Sequence, residues 1–93
     1  MKITLVCSDK NEATKLASLI FIKDGKETFI SSILNIYDNE MVISLKDKSA
    51  HSIVFRDNSE VEKFADFIQS VLDKTNQIIG AKQTNDLVEI TKG

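Results

Sequence analysis

The sequence predicts an α+β domain, an antiparallel β-meander of four to five strands packed in two layers against one long C-terminal helix. Three observations predict it. A stretch over residues 57–80 carries apolar side chains at helical spacing. Upstream of it, short branched and aromatic runs alternate with polar residues and are separated by turns containing Asp, Asn or Gly. Those turns are too short for crossover helices, so successive strands pair as antiparallel neighbours.

Lys2 to Cys7 reads as the first strand, and Ser8 to Asn11 as a turn. Glu12 to Lys23 carries two conflicting signals. Ala13, Leu16, Ala17, Ile20 and Phe21 fit a helix whose capping box is Asp9 with Glu12. Asp24-Gly25, between two apolar branched runs, instead predicts a hairpin, because a type I′ turn needs φ > 0 at both central residues. The reading that accommodates both is a short helix or irregular segment over 11–17, then a strand over Ser18 to Lys23.

Thr28 to Ile36 is the next strand, with a bulge expected at Ser31-Ser32 where the alternation slips. After the turn Tyr37 to Glu40, Met41, Ile43 and Leu45 alternate with Val42, Ser44 and Lys46. After Asp47 to Ala50, Ile53 and Phe55 share one face of a strand over His51 to Arg56.

The helix follows. Ser59 as N-cap with Glu62 makes a capping box, Glu60 and Glu62 suit the positive end of the dipole, and Gly80 suits a left-handed turn beyond the last carbonyls. Val61, Phe64, Ala65, Ile68, Val71, Leu72 and Ile79 form its core stripe. Burying the large members stabilises the fold by about 1.5–3 kcal/mol each before ordering entropy. Phe67 and Ile78 widen the stripe beside Val71. The plain reading covers them with a loop or the tail, and the functional reading makes Phe67, Val71 and Ile78 a partner or homodimer contact. Glu62, Asp66, Gln69 and Asp73 draw an acidic line on the opposite face, with Lys63 and Lys74 beside it, as solvated helix faces ordinarily do. Residues 1–80 are expected to form one compact domain. Residues 81–93 are then a polar tail, either disordered or adding an edge strand through the β-prone Leu87 to Thr91. We read no internal repeat and no low-complexity segment.

Ninety-three residues suffice for one small domain with its own core. A hydrophobic share of 42% with 28% charged residues excludes general disorder. A net charge of −2 supplies no electrostatic footprint for non-specific nucleic-acid or membrane binding. A single cysteine, Cys7, excludes an intrachain disulfide and a cysteine-rich zinc site, and fits a reducing compartment. The N-terminal apolar run is too short for a signal peptide or a membrane span, so a cytoplasmic location is expected. Eleven lysines against one arginine suggest an A/T-rich coding genome, such as that of a low-GC bacterium or a phage.

The inventory for chemistry is thin. His51 and Cys7 are the only histidine and cysteine, and nothing local brings them together. No metal-ligand spacing, P-loop, GxGxxG or GxSxG is present, and Asp24, Asp38, Asp47 and Asp57 fall at turns where aspartate has structural uses. The expectation is a protein that is not an enzyme and carries no cofactor or metal. It is instead a small acidic interaction module, a regulator or inhibitor of a larger partner protein, forming a homodimer. The alternative is single-stranded nucleic-acid binding. A curved antiparallel sheet followed by a long helix is similar, in architecture alone, to the Whirly single-stranded DNA-binding fold and equally to the pleckstrin-homology fold. On that reading Lys23, Lys26, Lys46, Lys48 and Arg56 track phosphates, and Tyr37 stacks on bases.

Overall fold

The computed structural model describes residues 1–20, 30–73 and 76–93. The element order is β1 (Lys2–Val6), α1 (Lys10–Ile20), β2 (Ile30–Tyr37), β3 (Glu40–Leu45), β4 (Ala50–Val54), α2 (Asn58–Leu72), β5 (Ile78–Thr84) and β6 (Leu87–Lys92). The α+β class and the meander β2-β3-β4 are as expected. The single sheet is not, because the strands form two antiparallel three-stranded sheets, β1-β6-β5 and β2-β3-β4.

The elements β1-α1-β2-β3 and β4-α2-β5-β6 are two copies of one β-α-β-β unit. Val6, Asp9, Glu12, Lys15, Ala17 and Ile20 recur 48 positions later as Val54, Asp57, Glu60, Lys63, Ala65 and Ile68. The copies exchange strands. β1 of the first unit pairs with β6 of the second, and β4 of the second pairs with β3 of the first. The registers correspond throughout: Leu5↔Val88 matches Ile53↔Met41, and Ile3↔Ile90 matches His51↔Ile43. Both hairpins shift register at the same place, between Ile30 and Ser32 and between Ile78 and Gly80. The first of these is the bulge expected at Ser31-Ser32. The repeat escaped the sequence reading because its signature lies in spaced polar residues, while the apolar positions between them changed size (Leu16 to Phe64, Leu19 to Phe67).

The two units meet at an approximate twofold, where Cys7 and Phe55, themselves equivalent, form an isolated antiparallel bridge. Ser8 N–H donates to the Val54 carbonyl and Arg56 N–H to the Val6 carbonyl, both at 3.0 Å. A continuing ladder would return Val54 N–H to Ser8 and Val6 N–H to Arg56. Instead Val54 N–H donates to Glu12 Oε1 (2.8 Å) and Val6 N–H to Glu60 Oε1 (2.7 Å). The second carboxylate oxygens are held by Lys15 and Lys63, each at 2.8 Å. Each helix thus ends the β1–β4 ladder after one bridge, and the sheets splay apart there.

The helix starts explain why those glutamates are available. Asp9 caps α1, its Oδ1 accepting Glu12 N–H, as expected. For α2 the cap is Asp57, not Ser59. Its extended backbone and carboxylate accept Glu60 N–H, and Ser59 Oγ donates to that same carboxylate at 2.6 Å. In both D-x-x-E sequences the glutamate reaches across to a strand rather than back to the cap.

The core gathers Leu5, Leu16, Ile20, Met41, Ile43, Ile53, Phe55, Phe64, Ile68, Val88 and Ile90, with Phe55 and Phe64 tilted at 6.0 Å between centroids. α1 packs on β5 and β6 of the other unit, and α2 on β2 and β3 of the other, so neither unit has a core by itself.

Three further expectations change. Ser18 to Ile20 is helical in α1, and the rest of the anticipated strand and its Asp24-Gly25 hairpin lie outside the described residues. α2 ends at Leu72 rather than running to Gly80, since residues 78–84 are the strand β5 paired with β6; Ile79, expected in the helix core stripe, sits at that strand's register shift and is exposed. Residues 87–92 are the middle strand of a sheet, not a tail or an edge.

Glu60 is 1% exposed in its side chain and Glu12 15%. Glu60→Ala therefore lowers the unfolding free energy by about 1–3 kcal/mol, the cost of orphaning a buried N–H. Glu12→Ala costs less, and Glu60→Gln, which keeps an acceptor for Val6, costs least. Denaturant titrations of the three variants check this order.

Candidate interaction surface

The residues expected to form a partner or dimer contact are interior. Phe67, Val71 and Ile78 are all buried within the chain, so they offer no surface to a partner. The physical reason lies in β6. Lys92, standing where the first unit has Leu45, lays its side chain over the Phe67 ring (4.5 Å to the centroid), and its Nζ donates to the Phe67 carbonyl and to Ser70 Oγ, each at 2.7 Å. Ile78 belongs to β5, opposite Lys92. The acidic line Glu62, Asp66, Gln69 and Asp73 is exposed, with Gln69 donating to Asp73 and Asn58 to Glu62.

The residues of the nucleic-acid reading are not brought together. Lys23 and Lys26 lie outside the described residues. Lys46 and Lys48 follow one end of β3 and Tyr37 pairs at the other, about 17 Å away along six residues of strand. Arg56, on the Tyr37 side, is held by Asp57 at 3.2 Å. The hydrogen bond from Ser59 is the main reason the Asp57 carboxyl sits below its ordinary range, and the Ser49 hydroxyl does the same for Asp47 in the β3–β4 turn.

Cys7 and His51 are not partners. Cys7 is buried against Phe55, whereas His51 lies four residues back along β4, about 13 Å away, with Nε2 3.0 Å from Ser49 Oγ. Among the described residues no three His, Cys, Asp or Glu gather as a metal site, and no helix is long and apolar enough to cross a membrane.

A different surface stands out, on the outward face of β2 and β3. Leu34 is 64% exposed, Ile36 47% and Tyr37 66%. Leu34 pairs across to Val42, and Tyr37 to Glu40. The repeat supplies an internal control for this face. At the equivalent pair, same backbone and same register, the second unit has Lys82 opposite Glu89, and Thr84 in place of Tyr37. Lys2 lies 3.8 Å from Glu89, so charged side chains cluster on this face, with Leu87 exposed at the corner opposite Thr84. The first unit has no such pair. The outward positions of the sheet β2-β3-β4 read Ser32, Leu34, Tyr37, Val42, Ser44, Ala50, Ser52 and Val54, all neutral, with Glu40 the one charged residue among them.

Ile36 itself has no counterpart. β2 carries a second register shift between Asn35 and Tyr37 that β5 lacks, which inserts Ile36 as an extra residue. Asn35 secures this bulge, its side-chain amide donating to the Tyr37 carbonyl and, at 2.7 Å, to the Glu40 carbonyl. Sequence reasoning passed over Leu34, Ile36 and Val42 because a branched strand residue has no visible face until its pairing is known. Aligning the two units would have shown the mismatch.

Burial first, then Glu12, Asp86, Glu60 and Asp9, push the Cys7 thiol from an ordinary 9.0 up to about 12. The folded chain holds this proton more tightly than the unfolded chain, so the contribution is complete below about pH 9 and is lost as pH rises toward 12. The stability advantage of the wild type over Cys7→Ala shrinks accordingly above pH 9, as thermal melts across that range will read. No protein-family model, curated protein or solved structure matches the chain.

Proposed function

We propose that this protein is a small non-enzymatic interaction module that binds protein through the outward face of β2 and β3, acting as a regulator of the partner it engages. The observation that carries the reading is the contrast between the two units. One fold, built twice, places Lys82 and Glu89 in solvent on one sheet and Leu34 and Val42 on the other. Exposing apolar side chains where a charged pair fits equally well gains no stability for the isolated chain, and contiguous exposed apolar side chains mark docking surfaces. Tyr37 and Ile36 extend the patch, and aromatic anchors beside aliphatic residues dominate the energetics of protein contacts.

The repeat also supplies the test. Leu34→Lys with Val42→Glu transplants the cross-strand pair of the second unit, so the variant is expected to fold with a melting temperature near that of the wild type. Proteins from the source organism retained on immobilised wild type should be lost from L34K/V42E, in a quantitative comparison of the two. An identical retained set on both would remove this face as the binding site.

A further inference from the structure

The occupant of this face follows from its charge pattern. Of the outward positions on β2, β3 and β4, Ser32, Leu34, Tyr37, Val42, Ser44, Ala50, Ser52 and the half-buried Val54 are all neutral, and Glu40 at the Tyr37 corner is the one charged group. The chain as a whole is 28% charged with a net charge of −2. A surface matched to a different protein can use charge to select its partner and set its register. A surface that meets its own copy cannot do so at its centre, because an isologous twofold sets the same patches against each other and brings like charges near the axis together. An apolar pair ringed by hydroxyls satisfies that constraint.

We propose that the face centred on Leu34 and Val42 binds a second copy of this chain, forming a face-to-face twofold dimer. This rests on the protein-binding reading above and names its partner. Leu34 and Val42 lie at the axis, Tyr37 and Ile36 pack at one side, and the Ser32, Ser44 and Ser52 hydroxyls make the rim. The face spans two strand spacings, about 10 Å, by a strand length of about 17 Å. That is small beside the roughly 800 Å² per partner of a standard stable interface. The dimer is therefore a dissociable one, populated as concentration rises, and not an obligate pair.

Sedimentation equilibrium over a concentration series tests it. The wild type should rise from the 10.4 kDa monomer mass toward twice that value. L34K/V42E should remain folded by circular dichroism and need at least about tenfold more chain to reach the same dimer fraction. Tyr37→Thr, the residue of the second unit at that position, should shift the midpoint in the same direction, and serves if the double variant folds poorly. A wild type that stays monomeric up to about 1 mM overturns the proposal, as does self-association to which both variants are indifferent. Should the wild type remain monomeric while L34K/V42E still loses a captured protein, the second-copy inference falls and the protein-binding reading stands. If neither self-association nor capture depends on these residues, both fall.

Discussion

The structure depends on two helix carboxylates, Glu60 buried and Glu12 half-buried, that take the place of strand neighbours. At the Cys7–Phe55 bridge the ladder between β1 and β4 would continue if Val6 and Val54 N–H found carbonyls across the gap. Glu60 and Glu12 take those two N–H groups, and each is itself oriented by a lysine one helical turn on. Desolvating a carboxylate is costly unless it is hydrogen-bonded and paired, and here it is both. This is what divides six strands between two sheets and lets a helix enter beside each half of the bridge.

Because the same device is used twice, the chain is its own comparison. Equivalent positions share backbone and register, apart from the extra Ile36, so a difference at a solvent-facing position reports on what folding does not require. Leu45 and Lys92 differ, and the lysine covers Phe67 while bonding to a helix carbonyl. Leu34 with Val42 and Lys82 with Glu89 differ, and there the folding requirement is the same for both while the surface chemistry is opposite. The extra residue Ile36, secured by the Asn35 amide, adds to the same face.

Strand exchange has a consequence for the whole chain. Neither unit contains its own core, since α1 lies on the hairpin of the second unit and α2 on that of the first. The final hairpin supplies Val88 and Ile90 to the centre, so residues that look like a polar tail in isolation are the middle strand of a sheet. The edge of α2 that looked surplus is interior for the same reason.

Much of the local structure was legible in the residues: the strands at Lys2, Met41 and His51, the Asp9 cap, the bulge at Ser31-Ser32, and the inward positions Met41, Ile43, Ile53 and Phe55. These follow from period-two alternation, side-chain capping and apolar periodicity, which act over a few residues and therefore leave their mark in a few residues. The helix cap was placed two residues late because Ser59 and Asp57 both suit it, and only the geometry shows the serine bonding to the aspartate. Tertiary structure alone decided which strands pair, that Glu12 and Glu60 serve strands rather than their own helix caps, and that Leu34 faces outward while Phe67 faces in. Those outcomes depend on groups 42 to 91 positions apart meeting in space, as Val54 meets Glu12 and Met1 meets Lys92. By itself the sequence determined what each segment could become; packing of one unit against the other determined which face each segment turned to solvent.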